Sequence, residues 1–247
     1  MSSEADVKAV VGLRGHGKSS HVIRMTSETP RVLYYDSLGD DYSEGIVCRD
    51  RAVLESFWRR TYQHRFRISY KPVDPMADLA RICELAYECG DMTLVIDEIH
   101  LYFRGAFCPT ELTKIITAGR HAGVELIGVT QAPRKLGELL RSQAAVWDVF
   151  AIREPAHAKY VAERCVGMDI SQILSLRKYE YLHFEDGAEC YWRCTDDLDS
   201  GQTRKEALPY ETDAPTPATA PDSRDDAPVG RTVGSPSADG DSPVPPA

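Results

Sequence analysis

Apolar positions along the chain form short continuous runs that alternate with helical stripes. Val7 to Val11 is an apolar, mostly β-branched run, as a parallel strand buried on both faces requires. Residues 18–26 can continue as a helix. Further strands are predicted over 31–35, 46–48, 65–70, 92–96, 124–129 and 145–152. Residues 51–62 form a helix with Val53, Leu54, Phe57 and Trp58 on one face. Asp74-Pro75 opens the next helix, with Asp74 as cap and Pro75 at its first position. Its stripe is Leu79, Ile82, Leu85 and Ala86, and Gly90 ends it. Helices are also predicted over 111–118, 135–142, 156–166 and 171–176. Residues 179–184 and 189–192 flank Asp186-Gly187, a hairpin-type turn.

Strands alternating with helices specify an α/β domain with a mainly parallel sheet and a small C-terminal hairpin. From about Asp196 the periodicity stops, and Pro, Ala, Asp, Ser, Thr and Gly dominate. Such a stretch buries too little surface to offset its ordering entropy. The expected organisation is a domain over 1–199 and a disordered tail over 200–247.

The chain has 247 residues and a formal net charge of -9. From Asp196 onward there are 11 acidic and 4 basic residues, which leaves only -2 for residues 1–195. The acidity is a property of the tail, and the near-neutral domain can still own a basic face. The seven cysteines include no C-x-x-C pair. They read as reduced thiols in a cytoplasmic protein. Neither a signal segment nor a bilayer-length apolar run is expected.

The chemistry is concentrated in Gly12-Leu13-Arg14-Gly15-His16-Gly17-Lys18-Ser19, which reads G-x-x-x-x-G-K-S, the Walker A loop. Glycines at 12, 15 and 17 let the backbone bend and its N–H groups approach phosphate oxygens. The following helix adds unpaired N–H groups and its positive end, from Lys18 through Ser19 and Ser20. Lys18 can reach the β- and γ-phosphates, and the Ser19 hydroxyl is placed to ligate Mg²⁺. Gly12, Gly15, His16, Gly17, Lys18, Ser19 and Ser20 are therefore the expected ATP-binding residues.

A second motif supplies catalytic groups. Met92 to Ile96 runs into Asp97-Glu98-Ile99-His100, an apolar strand ending in two carboxylates, as in Walker B. Asp97 is the expected partner of Mg²⁺, and Glu98 the group that orients and deprotonates water. Strand 124–129 ends in Thr130-Gln131, polar residues where ligands bind in parallel sheets. Gln131 can donate and accept at once, as a sensor of γ-phosphate or water must. Arg120, in Gly119-Arg120-His121-Ala122-Gly123, is either a surface cation or an arginine finger.

These blocks, with Gly128-Val129-Thr130-Gln131-Ala132-Pro133, resemble the HerA/FtsK-type P-loop ATPases. That group includes DNA translocases, genome-packaging ATPases of membrane-containing DNA viruses, and Zot-like ATPases of filamentous phages. Asp36-Ser37-Leu38-Gly39-Asp40-Asp41-Tyr42 is similar, less specifically, to the family's acidic loop after its second strand. The resemblance spans residues 7–192. It implies a three-layer P-loop NTPase with an extra strand between the Walker A and Walker B strands. It also implies a homo-oligomeric ring, usually a hexamer, that threads double-stranded DNA, with capsid or portal components as further partners. In that family the position resembled by Arg120 is a finger, and Gln131 matches the nucleotide-sensing glutamine.

Four functions compete on these residues. A DNA-packaging motor fits best, in host cytoplasm or virion. A Zot-like assembly ATPase commonly carries a transmembrane segment, and none is predicted here. A small-molecule P-loop kinase needs an arginine-rich lid and has no use for Glu98 over a water. A helicase would fit Asp97-Glu98-Ile99-His100 as D-E-x-H, yet it needs two tandem motor domains.

Overall fold

A computed structural model describes residues 6–39, 42–105, 107–197 and 200–210. The first strand and helix are β1 (Val7–Val11) and α1 (Lys18–Met25), joined by the glycine loop. Then follow β2 (Arg31–Tyr35), β3 (Ile46–Cys48), α2 (Arg51–Thr61), β4 (Phe66–Tyr70), α3 (Pro75–Cys89) and β5 (Met92–Ile96). The second half holds α4 (Thr110–Ala118), β6 (Val124–Thr130), α5 (Glu138–Gln143) and β7 (Ala144–Phe150). It ends in α6 (Pro155–Arg164), α7 (Ile170–Ser175), β8 (Glu180–Glu185), β9 (Tyr191–Asp196) and β10 (Thr203–Leu208).

The ten strands among the described residues share one sheet, ordered β10-β9-β8-β7-β1-β6-β5-β2-β4-β3. Strands from β7 to β3 in that order are parallel, and β7 to β10 run antiparallel. The expected extra strand is β6, which lies between β1 and β5 although it follows both in sequence.

Period-2 alternation divides the strands between two cores. Ala9, Val11, Leu33, Tyr35, Leu94 and Leu126 face a large core with Leu54, Leu79, Ile82, Ile115 and Val161 from the helices. Val10, Val32, Tyr34, Val95, Ile127 and Val129 face the other side, covered by Val22 of α1 and by Tyr42. Helix starts follow the sequence signals. Asp50 accepts from the Val53 amide, and Asp74 accepts from those of Met76 and Ala77 with Pro75 behind it.

The C-terminal part departs from expectation. The hairpin has a third strand, β10, which pairs with β9 from Thr203↔Asp196 to Leu208↔Tyr191. The ordered domain therefore extends past residue 199, into the range expected as tail. Four consecutive residues of β10, Arg204 to Ala207, are exposed. Leu208 of this strand and Tyr210 just beyond it pack against the large core, and the backbone ladder supplies the rest of the order. The rest of the expected tail, 211–247, lies outside the described residues. No helix among the described residues is long and apolar enough to cross a membrane.

Candidate active site

Parallel strands deliver their C-terminal ends to one edge, and the candidate site is built there. The glycine loop is pinned between two neighbours. The Gly12 amide donates to the Thr130 carbonyl at 3.1 Å, and the Leu13 amide to Ala151 at 2.9 Å. Gly12 has φ +139°, and a Cβ there would stand 2.6 Å from Cβ of Phe150, so only glycine passes this close to the end of β7. Lys18 is buried at the start of α1, and its Nζ donates to the carbonyls of Gly12 and Leu13, both at 2.9 Å. The ammonium thereby lies folded back over the loop.

Asp97 and Glu98 stand at the end of β5 and are both buried. The Asp97 amide bonds to the Tyr35 carbonyl at 3.0 Å, and Ser37 Oγ donates to the Asp97 carbonyl at 2.9 Å. Glu98 has φ +45°, a left-handed conformation that a non-glycine residue holds only under constraint. The constraint is visible. Its Oε2 accepts from the Gln131 backbone amide at 3.2 Å, and its Oε1 accepts from Gln131 Nε2. Nδ1 of His100 lies 3.0 Å from Oε2 of Glu98 and 2.8 Å from Thr130 Oγ1. Burial alone would raise the Glu98 carboxyl. Hydrogen bonds from His100 and Gln131 outweigh it and hold the group below the ordinary carboxylate range.

Lys18, Ser19, Ser20, Gly15, Gly17, Asp97, Glu98 and Gln131 therefore line one cleft of about 350 Å³. The sequence brings these residues from three strand ends, β1, β5 and β6. Ser19 and Asp97 offer a hydroxyl and a carboxylate, hard oxygen donors suited to Mg²⁺, which takes few protein ligands and keeps several waters. Among the described residues no group of three or more His, Cys, Asp or Glu could hold a metal ion.

Other expected residues stand elsewhere. Gly12 and His16 are not among the residues that line the cleft. Both ring nitrogens of His16 are buried without a hydrogen-bond partner. Burial, then the charges of Lys18, Arg153 and Lys178, push its pKa down. Arg120 is exposed and sits beside the start of β5, where the Asp91 amide bonds to the Ala122 carbonyl at 2.8 Å. Its own chain's cleft is at the opposite end of that strand. Asp36 is fully buried and accepts from the amides of Gly39 and Tyr42 at 2.9 and 3.1 Å, with Lys71 at 3.2 Å. The acidic loop at this residue is thus a fold-holding turn, and Asp40 and Asp41 lie outside the described residues.

Four residues of the site have no role assigned from the sequence, among them Arg14 of the glycine loop, which also lines the cleft. His100 was legible only as part of the Asp97–His100 block. Lys178 and Tyr179, just before β8, also line the cleft, and no sequence signal marks them.

No family model matches the chain, and no curated protein matches it. Solved structures do. The genome-packaging NTPase B204 from Sulfolobus turreted icosahedral virus 2, in complex with AMP, is 18% identical with a TM-score of 0.62, over 85% of this chain and 100% of that one. B204, the DNA-packaging ATPase from Sulfolobus turreted icosahedral virus, is 18% identical with a TM-score of 0.57 over the same shares. The pCW3 conjugation coupling protein TcpA is 10% identical with a TM-score of 0.51, over 74% of this chain and 58% of that one. This chain is built on the P-loop NTPase fold that these proteins share.

Proposed function

We propose that this protein is an ATP-hydrolysing motor that assembles as a ring, usually a hexamer in the family it resembles, and moves double-stranded DNA, packaging a viral genome into a capsid. One observation carries the enzymatic part: Lys18, Ser19, Asp97, Glu98 and Gln131 converge on one cleft from three strand ends. The resemblance of the motif blocks and the likeness to a packaging NTPase support the DNA and ring parts, with capsid or portal components as partners.

The loop amides and Lys18 would cradle the β- and γ-phosphates. Mg²⁺, held by Ser19 and through water by Asp97, would neutralise charge on those phosphates. Glu98, ionised through its bonds to His100 and Gln131, would take the proton of the attacking water. Gln131 touches both Glu98 oxygens and would report the γ-phosphate to the base.

The test is ATP turnover by the wild type, Lys18→Ala and Glu98→Gln, with and without double-stranded DNA. Lys18→Ala is expected to lose binding or turnover. Glu98→Gln is expected to bind ATP and turn it over about 10²–10⁴ times more slowly. DNA is expected to stimulate the wild type, with a steep loss as salt rises, because phosphate contacts release counterions. Normal turnover by Glu98→Gln would overturn the base assignment. An assembled ring that no DNA stimulates at low salt would overturn the motor.

A further inference from the structure

Tyr179 holds φ +67° and is one of few non-glycine residues in the left-handed region. Such a conformation persists where the surroundings impose it. Here the Tyr179 amide donates to the His16 carbonyl inside the glycine loop at 3.0 Å, and the Tyr179 carbonyl accepts from the Asp196 amide at 3.0 Å. The ring packs against Gly17. A Cβ on that glycine would come within 2.6 Å of Tyr179 Cδ1. The antiparallel strands are thus bonded directly to the phosphate loop.

Lys178 rides on this wedge. Its Nζ is 4.8 Å from the centroid of the Tyr179 ring, and the residue is exposed and lines the cleft. No ion pair engages it among the described residues. Its charge reaches His16 in the loop, as do those of Lys18 and Arg153. The carboxylates of Asp97 and Glu98 lie on the other side. In the sheet, β5 and β6 flank β1 on one hand, and β7 and β8 flank it on the other.

We propose that Lys178, aimed by the ring of Tyr179, is a second cation for the nucleotide polyphosphate, acting on the side away from the γ-phosphate. It rests on the nucleotide reading above. A cation there would grip ATP and ADP alike, since it faces the phosphates they share. It would govern binding rather than the chemical step.

Titration of the full chain with MgATP and with MgADP tests this, on the wild type, Lys178→Met, Lys178→Arg and Lys18→Ala. Lys178→Met is expected to weaken both nucleotides about tenfold, the effect of one exposed charged hydrogen bond. Turnover at saturating ATP is expected to stay at the wild-type rate, and Lys178→Arg to restore most of the affinity. Tyr179→Gly keeps the left-handed backbone, which glycine adopts freely, and removes only the ring. It is expected to reproduce the Lys178→Met loss. Unchanged affinity in Lys178→Met, beside a wild type whose binding needs Lys18, overturns this inference and leaves the nucleotide site standing. Loss confined to ATP overturns the placement. A wild type that binds neither nucleotide overturns both readings.

Discussion

Nε2 of His21 stands 2.8 Å from Oδ2 of Asp148, and both side chains are almost wholly buried. His21 is on α1, one turn beyond Lys18, and Asp148 is on β7. The other His21 nitrogen, Nδ1, lies 3.0 Å from Nη2 of Arg24 and 3.3 Å from Asp196 on β9, which also pairs with Arg24. His183 on β8 approaches the second Asp148 oxygen at 2.6 Å. The Phe150 and Tyr181 rings close the site. The helix that follows the phosphate loop is thereby tied electrostatically to three strands.

This cluster makes stability depend on pH. Burial alone would lower the His21 pKa, but Asp148 and Asp196 outweigh it and raise it. For Asp148 burial would raise the pKa, and His21 and His183 outweigh it and lower it. A raised histidine contributes fully below its unfolded pKa of about 6.5 and loses that contribution as pH rises through its folded value. A depressed aspartate contributes above its unfolded pKa of about 3.9 and loses it as pH falls through its folded value. The pair's contribution is therefore greatest between those two unfolded values. Melting temperature should fall as pH rises above neutrality. His21→Gln should flatten that slope and cost about 3 kcal/mol, the order expected when a buried charge loses its partner. An unchanged slope in His21→Gln would assign the pH dependence to other groups.

The acid limb of the turnover profile should respond to His100. Its ring and Gln131 hold the Glu98 carboxyl below the ordinary range. Removing a donor to the ionised form raises the pKa of a buried base. In His100→Ala the fall of kcat on acidification should begin at higher pH than in the wild type. Gln131→Ala should lower kcat about 10²-fold, the order for one lost positioning donor, with ATP still bound. A His100→Ala profile that overlays the wild type would mean that Glu98 does not set the acid limb.

Much of this site is legible in the sequence, because its strands are continuous apolar runs that stop at polar residues. Val11 leads into glycines, Ile96 into Asp97, and Val129 into Thr130-Gln131. Buried parallel strands leave that pattern wherever they reach a ligand edge. The position of β6 between β1 and β5 has no such signature; pairing order is a long-range property, and the resemblance alone implied it. Lys178 and Tyr179 lie outside the pattern for the same reason. Tyr179 meets the loop through its ring at Gly17 and a backbone bond to His16, more than half the chain away. β10 carries almost no apolar periodicity and so reads as tail, while its order comes from the ladder to β9 and from Leu208 and Tyr210 against the core.

That ladder sets where the chain can be cut. Deletion of 211–247 should leave melting temperature and turnover at wild-type values, since the composition there cannot form a core. Deletion of 200–247 removes β10, and with it the partner of the β9 backbone and the Thr203 hydroxyl that donates to Asp196 at 3.1 Å. It should lower the melting temperature and promote association through the exposed β9 edge. Equal melting of the two truncated proteins would mean that β10 adds nothing to the domain.

Arg120 gives the sharpest test of the ring. β6 rises about 3.3 Å per residue, so its seven residues separate Arg120 from Gln131 by roughly 20 Å. Within one chain Arg120 therefore stands at the wrong end of the sheet for its own cleft, and a role in hydrolysis requires a neighbouring subunit. A guanidinium is always charged and offers a planar fork to a phosphoryl group. Delivered in trans, it would supply about 10³–10⁵ in rate, as other arginine fingers do. Arg120→Ala subunits keep Lys18, and Lys18→Ala subunits keep the finger, so each is expected to be inactive alone. Mixed rings place some intact Lys18 sites against intact Arg120 side chains, and partial turnover should return. Arg134 and Arg153 follow the ends of β6 and β7, Arg141 lies in α5 just before β7, and these three are the alternatives. Mixed rings that assemble and stay inactive would move the finger to one of those three, and leave Arg120 a surface cation.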